Sequence, residues 1–548
     1  MSNFQELSEL LFPNITKTPD DYETMYPPRD LKEGARVTRL APSPTGMLHF
    51  GNLFSGTVAY RTAKVTDGIF FVRVEDTDQK RKVEGAIEAM LESLGFFGVT
   101  PDEGVMPDGS QQGAYGPYVQ SERKEIYQTY AKSLVAQGLA YPCFCSAEEL
   151  DEIRTAQENE DIKGYYGKYA RCRDLSFDEV KANIDAGKTW TLRLKSPGSV
   201  DKRITFDDMI KGKIEMAENV IDVVLLKTDG IPTYHFAHAV DDHLMRTTTV
   251  IRGEEWLPSL PKHLQLFRYL GFKPPKYLHN AQIMRMDGTS KKKLSKRDKG
   301  AALADYKSMG YPRLSVIDYV FTLLNSNFED WRRANPDKPW EEFPFSLKKM
   351  GASGALFDFD KLNDVSKNVI SRMDADTVYT GVLDWAQEYD PEFGTILAQH
   401  ADTAKAAFAI GRGGNKPRKD LTVWADAKDY MGFFFDELFQ VQDAYPETFD
   451  REDIKAALTK FMASYDANDD QQTWFDKVKE IAASLGFAPD VKAYKADPES
   501  FKGHVGDISM FLRVAVTGKM NAPDLYAVMQ ILGTEKTFAR IENMIETL

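Results

Sequence analysis

A strand, a loop, a helix and a second strand follow one another between Arg36 and Val74, and that order admits few folds. Arg36–Leu40 (RVTRL) reads as a short strand and Asn52–Thr66 (NLFSGTVAYRTAKVT) as a helix. Ile69–Val74 (IFFVRV) is β-branched and aromatic, which predicts a buried strand. Val83, Ile87, Leu91 and Leu94 recur at helical spacing and predict another amphipathic helix. Such alternation is the mark of a parallel α/β sheet covered on both faces.

From about Gly104 to Asn219 the character changes. The stretch holds every cysteine, many tyrosines and irregular segments, and reads as an insertion. Alternation resumes with Val220–Leu226, Tyr234–Val240 and Thr249–Ile251, so the sheet is predicted to be split around a middle domain. After about Ala304 the pattern is helical, with Phe357–Leu362 and Val365–Ser371 marking turns and helices. Beyond about Ala375 it is all-α: Ile454, Leu458, Phe461 and Met462 repeat at helical intervals, as do Ile508, Phe511, Leu512 and Val516. Gly411–Lys419 (GRGGNKPRK) reads as a basic connector. The expected fold class is α/β, a split Rossmann-type parallel sheet with an inserted α+β domain, followed by an all-α C-terminal half. The expected pieces are an extension at 1–35, a catalytic domain from 36–103 and 220–303, the insertion at 104–219, and helical regions at 304–374 and 375–548.

The 548 residues suit three or four domains, and 42% apolar content is enough for several cores. No apolar run reaches the ~18 residues of a membrane helix. The first residues, MSNFQELSELLFPNITKTPDDYE, lack the basic and apolar regions of a targeting peptide. The expectation is a cytoplasmic enzyme or binding protein. A formal net charge of −14 weighs against a protein that simply coats nucleic acid, and leaves a local basic face open. Three cysteines, Cys143, Cys145 and Cys172, do not make a secretory disulfide framework.

The loop between the first strand and helix reads LAPSPTGMLHFGN, Leu40–Asn52. A loop that enters a helix from a parallel strand offers free backbone N–H groups and the positive end of the helix dipole, a natural phosphate site. Pro42 and Pro44 hold it extended. Gly51 would let a flat ring or a phosphate lie against the backbone, and His49 could donate to a phosphate oxygen as charge develops. The bland alternative is a stiff turn with a packed histidine. Lys291–Arg297 (KKKLSKR), flanked by Gly288 and Gly300, would put Lys293, Lys296 and Arg297 on a mobile loop suited to a pyrophosphate leaving group. The bland alternative there is a solvated lysine run.

Taken together, APSPTGMLHFGN and KLSKR resemble the two signature elements of class I aminoacyl-tRNA synthetases, with Asn52 in place of a final histidine. Further blocks are similar to bacterial-type glutamyl-tRNA synthetases: RVEDTD (Arg73–Asp78), GPYVQSER (Gly116–Arg123), DGIPTYHFAHAVDDHLM (Asp229–Met245), VIRGEEWLPS (Val250–Ser259) and FLRVAVTGKMNAPDLYAVMQILG (Phe511–Gly533). The resemblance starts near Arg39 and gives the first ~35 residues no role. It implies that glutamate attacks the α-phosphorus of ATP, with Mg²⁺ accompanying the nucleotide, and that tRNA(Glu) then takes the acyl group. It also implies a single-chain enzyme, an acceptor-end role for 104–219, a stem-contact role for 304–374 and an anticodon role for 375–548. Alternatives are a ligase that also charges tRNA(Gln), and a non-catalytic tRNA-binding paralogue. The latter would be expected to have lost His49, Lys293 or Lys296.

These three are the expected catalytic residues, acting by electrostatic stabilisation. Glutamate carries two carboxylates and an ammonium, so its pocket needs two cations and an anion. Arg39 and Arg252 can grip the carboxylates, Glu75 the ammonium, and Ser43 and Tyr234 can add neutral hydrogen bonds. These positions match the family's glutamate site. Alternatively the arginines form structural pairs with Asp76, Asp78 or Glu255. At His238, where the family often has asparagine, the imidazole could bond substrate or simply pack. By the resemblance, Pro42, Thr45, Gly46, His49, Gly51, Asn52, Glu255, Leu294, Ser295 and Lys296 would surround ATP. Some family members hold zinc at residues like Cys143, Cys145 and Cys172. A fourth ligand is then required, Tyr169 or Asp174 being candidates, and idle buried thiols are the alternative. Lys291–Arg297, Arg412–Lys419 and Arg513 are candidates for RNA contact.

Overall fold

A computed structural model describes residues 4–44, 49–78, 83–158, 160, 164–294, 298, 302–414 and 416–548. Two compact units result, Met1–Ala304 with Val320–Asp358, and Asp305–Tyr319 with Phe359–Leu548.

The strands of the first unit are β1 (Val37–Leu40), β2 (Ile69–Val72), β3 (Glu103–Val105), β4 (Gln111–Gln112), β5 (Ala140–Cys143), β6 (Thr191–Leu194), β7 (Arg203–Asp208), β8 (Gly212–Ala217), β9 (Val224–Leu226), β10 (Thr249–Gly253), β11 (Lys276–Asn280), β12 (Met284–Asp287) and β13 (Ser290–Lys293). One sheet has the order β1-β2-β3-β4 and another β10-β11-β7-β8. In each the first three strands run parallel and the last is antiparallel. The two sheets meet at β1 and β10, where the Thr248 amide donates to the Val37 carbonyl at 3.0 Å and the Val37 amide to Thr248 Oγ1 at 2.8 Å. Phe70, Phe71 and Val72 are buried because β2 is covered on both faces. The helix Phe50–Lys64 lies against β1, fixed by a 2.7 Å bond from Thr38 Oγ1 to the Ala59 carbonyl.

Three expectations need correction. Val220–Leu226 does not rejoin the parallel sheet: β9 pairs antiparallel with β6, in a separate sheet of order β5-β6-β9. Conversely the hairpin β7–β8, from within the expected insertion, extends the second half-sheet through Tyr277 and Asp208. Strand propensity marks a segment as extended but does not choose its neighbour. Val83 lies ahead of the helix Ala86–Phe96 and is 49% exposed, so it is not on that helix's buried face.

The N-terminal segment packs onto the helix Lys124–Ala136 through its own helices Phe4–Leu11 and Pro19–Met25. Arg29 forks onto Glu103 at 2.7 and 2.9 Å and donates to the Met245 carbonyl. Glu23 meets His243 at 2.6 Å and Arg246 at 2.8 Å. The segment thereby laces β3 to the end of the helix Tyr234–Leu244.

The regular elements of the second unit are helices, with one parallel bridge between Ala488 and His504 among the described residues. Asp374, Asp390, Asp450, Asp470 and Asp524 each cap a helix by accepting a backbone N–H. Apolar faces of Arg451–Ser464, Gln471–Ser484, Val505–Thr517 and Leu525–Thr547 share one core. Arg412 is not a free surface cation: it donates to the carbonyls of Phe408 and Ile370, both at 2.6 Å, while Arg418 pairs with Asp420. No described helix is long and apolar enough to cross a membrane.

Candidate active site

A cavity of about 1250 Å³ opens at the carboxyl ends of β1 and β10. In an open parallel sheet this is where ligands bind, because connections diverge there and leave a crevice. Arg39, Ser43, Glu75, Tyr234 and Arg252 all line it, and so do His49, Gly51, Asn52, Glu255, Lys293 and Leu294. Residues more than two hundred positions apart thus face one space. Thr45, Gly46, Ser295, Lys296 and Arg297 lie outside the described residues.

His49 is the N-cap of the helix Phe50–Lys64, and its backbone N–H donates to Asn52 Oδ1 at 3.1 Å. That bond accounts for asparagine at position 52. A side chain on Gly51 would stand 3.1 Å from His49 Nδ1, so the glycine gives room first to the imidazole itself. Ala302, just past the lysine-rich segment, forms an antiparallel bridge to His49. Lys291–Lys293 are not loop but strand β13, paired with β12 across a turn in which Gly288 has φ +61°. Lys292 is engaged by Asp287 at 2.5 Å. Lys293 reaches the cavity.

Two expected residues stand behind the wall. Pro42 is buried, and its carbonyl accepts the Glu75 amide at 2.8 Å, which sets the end of β1 beside that of β2. His238 is fully buried, with Nε2 3.0 Å from the Tyr277 hydroxyl and Nδ1 2.7 Å from Asp242. Its ring stacks behind Tyr234, away from the cavity lining. Trp256 lies over the Tyr234 ring with centroids 4.4 Å apart and lines the cavity.

Beneath the cavity lies a buried charge network that sequence reasoning missed. Arg39 Nε donates to Asp242 at 3.1 Å, so its partner is none of Asp76, Asp78 and Glu255. Arg73 donates to Asp242 at 2.8 Å and to Glu75 at 2.9 Å. Arg123 binds Asp241 at 2.7 Å, which also accepts from Gln120 and Tyr127. Three guanidinium groups thus face three carboxylates, the pairing that buried ions require. Burial would push Asp242 up, but Arg39 and Arg73 outweigh it and hold the carboxyl well below its ordinary range. At Glu75 burial wins over the pull of Arg73 and Arg39, and the carboxyl is raised.

Arg252 is different. It is buried, yet no described carboxylate pairs with it. Nε donates to His279 Nε2 at 3.0 Å, Nη1 lies 3.1 Å from His263 Nδ1, and the Tyr277 ring sits 4.9 Å away. Nη2 is buried without a partner. Burial pushes His235 and His238 down to about 4 and lowers His263 and His279 as well, so these imidazoles are neutral at pH 7. A cation with an open donor therefore lines the cavity and calls for an anion.

A second cluster lies in the three-stranded sheet's surroundings. The sulfurs of Cys143, Cys145 and Cys172 lie within 4.8 Å of one another. The Tyr165 hydroxyl is 3.5 Å from Cys143 Sγ and 3.3 Å from Cys145 Sγ. Tyr165 is thus the oxygen nearest these sulfurs among the described contacts, Tyr169 packs against the cluster, and Asp174 is held by Lys195 at 2.8 Å. Hydrogen bonds from Cys145 and Cys172 push the Cys143 thiol far down, while Cys145 is pushed up. Three sulfur donors in so compact a set fit zinc.

Residues 36–332 match the family model for the catalytic domain of class I tRNA synthetases (E and Q), and residues 416–545 match that for an anticodon binding domain. A glutamate–tRNA ligase of Acetivibrio thermocellus is 49% identical over 99% of this chain and 100% of its own length. One from Clostridium perfringens is 48% identical over 98% and 100%. The crystal structure of a glutamate tRNA ligase from Elizabethkingia meningosepticum, in complex with its amino acid, superposes with a TM-score of 0.72. It shares 30% identity over 94% of this chain and 99% of that one.

Proposed function

The chain belongs to the class I tRNA synthetases, among the glutamate–tRNA ligases, and we propose how its own residues carry the ligation. The enzyme joins glutamate to tRNA(Glu) with ATP. A glutamate carboxylate oxygen attacks the α-phosphorus of ATP, and pyrophosphate leaves. The acyl group of the adenylate then passes to the terminal ribose of the tRNA, and AMP leaves.

His49, at the positive end of the helix Phe50–Lys64, donates to phosphate oxygens as their charge grows. Lys293, with Lys296, neutralises the departing pyrophosphate. Mg²⁺ accompanying ATP supplies further charge neutralisation at the phosphates. Glu75 takes the substrate ammonium, Ser43 and Tyr234 add neutral hydrogen bonds, and Arg252 takes a carboxylate. Glutamine placed against Arg252 by its amide would leave a buried cation unpaired, a penalty of about 3–5 kcal/mol.

The observation that carries this reading is Arg252, buried at the cavity wall with neutral imidazoles around it and a donor without an acceptor. ATP–pyrophosphate exchange with glutamate and with glutamine, each with and without tRNA, tests it. Exchange is expected with glutamate only, and only with tRNA present. Robust exchange with glutamine would overturn it.

In the helical unit, Arg513 Nε and Trp474 Nε1 are buried donors without acceptors beside a cavity of about 540 Å³ that Phe475 also lines. This supports recognition of an unpaired base by stacking and edge contacts. Cys143, Cys145, Cys172 and Tyr165 would hold zinc as a structural clamp. The same reading makes one chain the working unit and the cytoplasm its place.

A further inference from the structure

Arg252 is aimed by imidazoles, and one of these is itself aimed by a carboxylate. We infer that Asp208 and His279 are positioning residues that fix the Arg252 guanidinium while leaving its positive charge for a substrate carboxylate. The inference rests on the reading of Arg252 as a substrate ligand.

Asp208 stands where β7 turns into β8. Its Oδ1 accepts the backbone N–H groups of Ile210 and Lys211 at 3.0 and 2.9 Å. Its Oδ2 accepts the His279 backbone N–H at 3.1 Å and lies 2.7 Å from His279 Nδ1. The carboxylate can only accept, so the proton of His279 is on Nδ1. Nε2 then carries its lone pair toward Arg252, whose Nε donates to it at 3.0 Å. Asp208, His279 and Arg252 are all buried, so neither bond is exchanged for water.

The chemistry explains the choice of residue. A carboxylate at position 279 would hold the guanidinium as firmly but would cancel its charge. A neutral imidazole with a fixed tautomer holds it and leaves the charge intact. Asp208 keeps its own charge one residue further back.

Asp208→Asn tests this with almost no change in shape. Ile210 and Lys211 keep the amide oxygen on their side, so the NH₂ group faces His279. It donates to Nδ1, His279 takes the other tautomer, and Nε2–H meets the Nε–H of Arg252. A wrong tautomer imposed in this way is a known cost of Asp→Asn behind a histidine. His279→Phe removes the acceptor, and His279→Gln restores one.

The measurement is tRNA-dependent ATP–pyrophosphate exchange, with KM for glutamate, KM for ATP and kcat recorded for each variant. Asp208→Asn and His279→Phe should raise the glutamate KM about tenfold or more. KM for ATP should stay at the wild-type value, and His279→Gln should recover most of the glutamate affinity. A merely structural role would lower the active fraction, hence kcat, and leave both KM values alone; that result overturns the inference. If Arg252→Ala raises the glutamate KM but Asp208→Asn and His279→Phe do not, the inference fails and the proposed function stands. If Arg252→Ala also leaves it unchanged, the assignment of Arg252 fails first.

Discussion

Asp242→Asn should be among the most damaging isosteric changes in the catalytic unit. Asp242 has no exposed side-chain surface. Its Oδ1 accepts from Arg73 at 2.8 Å and Arg39 at 3.1 Å, and Oδ2 lies 2.7 Å from His238. The surrounding set holds Arg39, Arg73 and Arg123 against Glu75, Asp241 and Asp242. The substitution leaves three cations facing two anions, out of water, and an amide donor turned toward other donors. Breaking a buried pair from one side costs about 3–5 kcal/mol, a large share of the roughly 5–15 kcal/mol of a typical fold. At about 2 °C per kcal/mol for a unit of this size, the melting temperature should fall by about 6–10 °C. Scanning calorimetry of the full chain checks it, with Asp185→Asn as control, since the Lys181–Asp185 pair is exposed and should barely matter. The folded Asp242 carboxyl is depressed, so its contribution is present above the unfolded value near about 4 and is lost only as pH falls through the lower folded value. The gap between variant and wild type should therefore hold from neutral pH to about 4 and close below it. A variant that melts within about 2 °C of wild type near neutral pH would refute the account of the network.

His49→Ala should lower kcat for exchange by about 100-fold or more with little change in the glutamate KM; a loss under about tenfold would mean the imidazole does not meet the reacting phosphate. Gly253→Ala would place a Cβ 2.1 Å from Glu255 Oε2, displacing that carboxylate, so KM for ATP should rise severalfold while KM for glutamate does not. His238 titrates near about 4 when folded, against an ordinary value of about 6.5, so stability should be lost as pH falls between these values, by up to about 1.4 kcal/mol per unit; His238→Asn should show a flatter acid limb in melts taken across that range. Elemental analysis of the purified chain should find one zinc, absent in Cys172→Ser and more easily stripped by chelator in Tyr165→Phe; metal-free wild-type protein with unchanged stability would end the zinc reading.

The resemblance to the family singled out Arg39, Ser43, His49, Glu75, Tyr234 and Arg252 from the sequence, and the fold brings all six to one cavity. Their supports left no such trace. Asp242 lies 203 positions from Arg39, and Asp208 lies 71 from His279, so only the folded chain pairs them. The sequence offered Tyr169 and Asp174 beside the thiols, whereas the fold brings the Tyr165 hydroxyl, 20 positions from Cys145, to their sulfurs. The partner of β9 was misread for a similar reason, since a short apolar run fits either sheet. Lys291–Lys293 shows the reverse case, where a charged run that reads as loop is drawn into a hairpin by the turn at Gly288.

The seam between β1 and β10 also bears on how the chain is made. A ribosome delivers Val37 roughly two hundred residues before Thr248, its hydrogen-bonding partner. During that interval β1 (VTRL) is a bare sheet edge, the kind of surface that invites pairing with a stranger. A polypeptide released before Thr248 would lack Arg252, Glu255 and Lys293 from the crevice wall and could not hide that edge.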